Sequence, residues 1–188
     1  VIFTETPVAG AFVIDLEPRE DERGSFARTF DAEEFRAHAL EHRVVQSSVS
    51  VNVRAGTLRG LHYQTAPHGE TKLVRCARGA IFDVIVDLRE ASPAYLRWFS
   101  VELSPESGRM LYVPEQVAHG FQTLVDDTEV HYQMGREYVP SHSTGVRWDD
   151  PLLGVDWPEA ERTISPRDAS YPDIDPSGRA GRRWLSSG

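Results

Sequence analysis

A single cysteine, Cys76, stands in the 188-residue chain, so no internal disulfide can form. A small, buried apolar residue is the role expected of it. Long hydrophobic runs are also lacking. None approaches the ~18 residues that a membrane span needs, and no basic leader precedes an apolar stretch at the start. A reducing, cytoplasmic setting with no membrane partner is therefore expected. Positive charge is in deficit, with 20 Lys and Arg against 29 Asp and Glu and a formal charge of −9. That balance speaks against a general nucleic-acid or anionic-membrane surface, but it leaves room for a local cationic pocket. Internal repeats and low-complexity tracts are missing as well.

What is present is an ordinary globular composition, 40% hydrophobic and 26% charged, long enough to bury a substantial core in one domain. Turn residues recur at short intervals between segments rich in Val, Ile, Phe, Tyr and Leu, which predicts a sandwich or barrel of short strands. The expected strands are Ala11 to Glu17, Val44 to Asn52, Lys72 to Ala77, Ala80 to Leu88, Leu96 to Leu103, Arg109 to Val113, Gly120 to Leu124 and Thr128 to Met134. The Ala80 to Leu88 run is apolar except for Asp83 and Asp87, so it belongs centrally between sheets. One helix is predicted, with Asp31 as N-cap, Glu33 and Glu34 in its first turn, and Phe35, Ala39 and Leu40 on one face. From Pro140 onward Pro, Asp and Ser recur around Trp148 and Trp157, as in a segment that wraps over a barrel. The last residues, 176–188, read as a polar tail with Arg179, Arg182 and Arg183, disordered unless a partner holds it.

Two short stretches carry most of the chemistry. Gly56-Thr57-Leu58-Arg59-Gly60-Leu61-His62-Tyr63-Gln64, followed by Lys72 and Gly79, is similar to the first motif of a cupin jelly roll. Gly108 to His119 is similar to the second. In metal-binding cupins the corresponding positions hold three His and a Glu. Here they hold His62, Gln64, Lys72 and His119. A protonated lysine repels a divalent cation and offers no lone pair, so acid–base chemistry is expected in place of a metal. His62 can serve as a general base near neutral pH, with Asp168 in Ser165-Pro166-Arg167-Asp168 as the acidic candidate to orient it. Lys72 in its motif slot points inward, where an ammonium stabilises an oxyanion or enolate. Arg59 and Arg23 are candidates for gripping phosphate. Tyr132 and Tyr138 are candidates for proton donor and aromatic platform.

The chain resembles the dTDP-4-dehydrorhamnose 3,5-epimerase family over roughly residues 5–175. The segments that carry the resemblance fall in one order: Asp21-Glu22-Arg23-Gly24, Arg59 to Gln64, Lys72-Leu73-Val74, Phe82-Asp83-Val84, Asp87-Leu88-Arg89, Ala118-His119-Gly120-Phe121, Trp148-Asp149-Asp150-Pro151 and Ser165 to Asp168. The resemblance implies an all-β, cupin-type jelly roll with a few short helices, one epimerase domain over residues 1–175, and a homodimer. It also implies no metal and no cofactor, and a nucleotide-linked (dTDP-type) 4-keto-6-deoxyhexose as substrate. By motif, His62 is the implied base, Asp168 its partner, Lys72 the enolate stabiliser and Tyr132 the proton donor. Tyr138 would stack on the nucleotide base, while Arg23, Arg59, Gln46, Ser48, His119 and Arg167 would contact diphosphate or sugar.

Three positions depart from the family pattern. Arg28 and Ser143 stand where it has Glu, and Ser47-Ser48 replaces Asp-Asn after Gln46. These substitutions fall among substrate-contacting positions and leave the acid–base set intact. Inversion at C3, C5 or both is the leading expectation. The alternatives are a single-centre epimerase, a 4-keto-sugar isomerase and a non-catalytic sugar-nucleotide-binding cupin.

Overall fold

The computed structural model describes residues 1–175, so the expectation for the tail lies outside the described residues. In chain order the strands are β1 Ile2–Glu5, β2 Phe12–Asp15, β3 Arg19–Asp21, β4 Gly24–Phe26, β5 Gln46–Asn52, β6 Thr57–Gln64, β7 Lys72–Arg78, β8 Ile81–Asp87, β9 Trp98–Leu103, β10 Arg109–Val113, β11 Val117–Thr123, β12 Thr128–Met134, β13 Ser143–Gly145 and β14 Thr163–Ile164. The helices are α1 Ala32–Ala37 and α2 Pro166–Ala169. One sheet runs β1-β2-β10-β7-β12-β5. The other runs β13-β6-β11-β8-β9, with β14 added in parallel to the start of β6. This is the cupin-type jelly roll expected from the sequence.

Alternation along the strands builds three apolar layers. Val74, Cys76, Ile85, Leu111, Phe121 and Val130 meet between the sheets. Burial raises the Cys76 thiol to about 11, which keeps it a neutral filler of that interior. The outer face of the first sheet is covered by Phe35 of α1 and by Leu40, packed with Leu73, Met110 and Tyr112. The outer face of the second sheet is covered by the wrap after Pro140, where Val146, Leu153 and Trp157 pack on Leu58, Leu61, Val84 and Val86. β8 is therefore buried on both faces, as its near-continuous apolar sequence predicts.

Two expectations need correction. Asp31 does cap α1, accepting from the backbone N–H groups of Glu33 and Glu34. The helix, however, ends at Ala37, and Ala39 is an exposed residue at φ 57° that turns the chain out of the helix. Leu40 reaches the core from beyond that turn, not from the helix face. The strand expected from Gly120 begins instead at Val117, so Ala118 and His119 lie within it.

β6 and β11 are antiparallel neighbours that leave no room for a side chain at Gly60. His119 pairs with His62 and Phe121 with Arg59, so β6 spends one residue more than its partner. This bulge lies at Gly60. It places Arg59 and His62 on the same, inward face, which strict alternation would forbid. Gly60 has φ +108°, and a Cβ there would meet Gly120 Cα and His119 O at 2.7 Å each. Gly60→Ala is expected to destabilise the fold by about 2–4 kcal/mol. In thermal unfolding that is a Tm lower by roughly 5–10 °C, whereas an unchanged Tm would mean that the contact yields.

Candidate active site

Between the two sheets lies a cleft of about 600 Å³, a size that suits a small-molecule ligand. His62, His119, Arg59 and the α2 residues Arg167 and Asp168 line one side, and Lys72 and Tyr132 come from the facing sheet.

Asp168 reaches the cleft through local chain chemistry. Ser165 caps α2, its hydroxyl accepting from the Asp168 N–H at 3.1 Å, and Pro166 opens the helix. The cap sets the Asp168 carboxyl beneath His62, with Oδ1 2.7 Å from Nε2. Asp168 Oδ2 accepts from the Gly60 N–H at 3.2 Å. Burial alone would raise the Asp168 pKa, but the His62 hydrogen bond and charge, with the Gly60 and Ser165 hydrogen bonds, hold it below the usual carboxylate range. An ionised carboxylate only accepts, so His62 Nε2 carries the hydrogen and Nδ1 keeps the lone pair. The free lone pair of His62 is thereby fixed on Nδ1.

Lys72 is 8% exposed. Its Nζ donates to His62 O at 3.0 Å and lies 3.2 Å from Glu70 Oε1. Tyr132 packs edge-on to His119, with ring centroids 5.9 Å apart. Burial, and then the Asp83 charge, push its phenol far above its ordinary value, so the hydroxyl keeps its proton. Arg59 is aimed by Asn52, whose Oδ1 accepts from Nε at 2.8 Å.

Seven of the residues singled out in the sequence thus converge: His62, Lys72, Tyr132, Asp168, Arg59, His119 and Arg167. Four do not line the cleft. Arg23 sits in the β3–β4 turn, exposed and paired with Asp21. The Gln46 carbonyl oxygen is occupied by the Tyr138 backbone N–H at 2.7 Å. Ser48 lies opposite Tyr132 in the β5–β12 ladder and borders a separate hollow with Arg75 and His131. Tyr138 is half exposed at the rim, where hydrogen bonds from Ser143 and Arg167 lower its pKa. Of the three departures, Ser143 holds Arg167 at 3.2 Å, while Arg28 is spent on Asp31.

The residue at the second cupin ligand position does something other than bind metal. Gln64 is 1% exposed and fully committed. Its amide donates to His68 O and Glu137 O, and its oxygen accepts from the Val139 N–H at 2.6 Å. It pins the loop that carries Tyr138. Among the described residues no group of three or more His, Cys, Asp or Glu is placed to hold a metal ion.

Sequence reasoning passed over Asp83, Glu70 and Asn52 as site residues. Asp83 had a signal, a carboxylate inside an apolar strand. Lys72 had a further one, for it is the only lysine in the chain.

Residues 5–175 match the sequence family described as dTDP-4-dehydrorhamnose 3,5-epimerase. A dTDP-4-dehydrorhamnose 3,5-epimerase of Methanothermobacter thermautotrophicus is 47% identical over 157 residues, 83% of this chain and 83% of that protein. The epimerase of Legionella pneumophila, solved with dTDP-4-keto-L-rhamnose, superposes with a TM-score of 0.85 at 34% identity, covering 90% of each chain. A 3'-monoepimerase from Streptomyces bikiniensis, solved with dTDP-quinovose, superposes with a TM-score of 0.86 at 35% identity, over 94% of this chain and 89% of that one.

Proposed function

Since the chain belongs to the dTDP-4-dehydrorhamnose 3,5-epimerase family, we propose that it inverts C3 and C5 of a dTDP-linked 4-keto-6-deoxyhexose. The observation that carries the reading is the placement of the His62–Asp168 pair on one side of the cleft and Tyr132 with Lys72 on the other.

The ketone at C4 acidifies the hydrogens on C3 and C5. His62 Nδ1 removes one of them, and the Asp168 carboxylate stabilises the imidazolium that forms. The electron pair moves onto the carbonyl oxygen, where the Lys72 ammonium meets the enolate charge. Tyr132 then delivers its proton to the opposite face of the carbon, and the centre is inverted. Arg59, His119 and Arg167 supply positive charge and hydrogen bonds to diphosphate or sugar. Tyr138 stacks on the nucleotide base from the rim.

Tyr132→Phe separates the two halves of this scheme. Proton abstraction at C3 and C5 is expected to continue within about tenfold of the unaltered protein, while inversion falls by about 100-fold or more. Deuterium uptake and product configuration, followed in one reaction, read both rates. Equal slowing of both would take the donor role from Tyr132. Metal chelation is expected to leave the rate unchanged, because Lys72 and the engaged Gln64 fill two cupin ligand positions. Loss of activity in EDTA, restored by a divalent ion, would contradict this.

The number of centres is read by counting deuterons in product formed in deuterium oxide by mass spectrometry. Two per sugar supports 3,5-inversion, and one supports the single-centre alternative. The same proposal takes residues 1–175 as one epimerase domain working as a cytoplasmic homodimer. The exposed Val49 and Val51 on edge strand β5, with Val53 beside it and Phe26 at 72% exposure on the β3–β4 hairpin, support a covering second copy. No helix among the described residues is long and apolar enough to cross a membrane.

A further inference from the structure

Asp83 stands outside the scheme above. It is fully buried in the barrel interior on β8, and its Oδ1 is 2.7 Å from His119 Nε2, diagonally across the β8–β11 pair. Its second oxygen, Oδ2, is buried with no hydrogen-bond partner among the described residues. Asp87, equally buried on the same strand, differs. Arg89, Ser92 and the Arg89 backbone N–H satisfy both of its oxygens. Asp87 is thus accounted for by structure alone, while Asp83 calls for another reason. His119, which it holds, is buried yet lines the cleft, edge-on to Tyr132. The Asp83 charge is also felt at Tyr132, and the Lys72 charge reaches Asp83.

The proton balance of the reaction supplies the reason. Each inversion adds a proton to His62 and takes one from Tyr132. Neither group is then ready for the next carbon. His62 is partly exposed and can shed its proton to water. Tyr132 is left as a phenolate in a desolvated wall, where its negative charge is strongly disfavoured.

We propose that Asp83, acting through His119, returns a proton to Tyr132 after each inversion. Asp83 is a positioning residue here: it orients the His119 ring through Nε2 and faces the charge whenever that ring carries a second proton. The Nδ1–H of that imidazolium passes to the phenolate oxygen, leaving neutral His119 with its Nε2–H still on Asp83. The pair regains a proton from water in the cleft, and the proton that His62 releases balances it. No net charge or mass changes over the cycle.

The inference rests on Tyr132 as the proton donor, and its test separates the two ideas. A rapid-quench time course with dTDP-4-keto-6-deoxy-D-glucose, at enzyme comparable to substrate, compares the unaltered protein with Asp83→Asn and Tyr132→Phe. Asp83→Asn is expected to give one inversion per site at the native rate, from the proton already on Tyr132. A second phase follows, about 100-fold slower, with singly inverted sugar accumulating. The unaltered protein shows no such break. Should Asp83→Asn fail to fold, Asp83→Ser is read by the same criterion. A uniformly slow course from the first inversion, or a native course throughout, would overturn the proposal. If Tyr132→Phe inverts at the native rate, the donor reading itself falls. If it loses inversion while Asp83→Asn shows no break, only the relay falls.

Discussion

His62→Ala is expected to abolish solvent exchange at C3 and C5 of the substrate, a loss of about 10²–10⁴-fold or more in proton abstraction. Ser165 caps α2 and Asp168 sits beneath His62, so the ring nitrogen facing the carboxylate is protonated and only Nδ1 is left to act as base. The other imidazole lining the cleft, His119, holds Asp83 in the same way, but it is buried and packs edge-on to Tyr132, whereas His62 is open to the cleft. Removing the imidazole therefore removes the acceptor for both carbons at once. Exchange persisting near the original rate would place the base elsewhere. Asp168→Asn gives a smaller loss of the same kind, because an amide neither stabilises the imidazolium nor fixes the tautomer.

Lys72→Met is expected to lower exchange and inversion together, by about 10²–10³-fold, since both depend on the same enolate. Lys72 is held on two sides, by the His62 backbone oxygen at 3.0 Å and by Glu70 at 3.2 Å. Its ammonium is therefore already oriented when the carbonyl oxygen arrives. Apart from the histidines, all other basic side chains in the chain are arginines. A guanidinium is broader and planar, and does not fit a slot shaped for a single ammonium. Lys72→Arg should accordingly recover little of the loss. Steady-state rates and deuterium uptake check both variants. A Lys72→Met protein that exchanges normally but inverts slowly would move Lys72 out of the enolate step.

Eight strands, β2, β5 and β7 to β12, were legible because each carries its own local pattern of apolar alternation and turn punctuation, and β8 announced its two-sided burial by an almost unbroken apolar run. The features that escaped are those that local pattern does not encode. The Gly60 bulge, which brings Arg59 and His62 onto one face, arises from the close passage of a strand distant in sequence. The short strands β1, β3 and β4 carry too few residues to show a period. The extra residues of β11 begin at Val117 because that stretch pairs with Asp87 and Val86 of β8, a register unseen in its own sequence. In the cleft, motif position identified His62, Lys72, Tyr132 and Asp168, which then proved to share one cavity. Their supporting groups were less legible, and of the three passed over only Asp83 carried a local signal, a carboxylate in an apolar strand. Glu70, Asn52 and Asp83 act through contacts with residues elsewhere in the fold, and Gln46 and Gln64 spend their amides on the Tyr138 loop.

The most direct test of the account is proton NMR of dTDP-4-keto-6-deoxy-D-glucose in deuterium oxide with the purified protein. The account predicts loss of signal at both C3 and C5, together with a rhamnose-configured product. Signals that stay at both carbons, with the starting configuration retained, would contradict it.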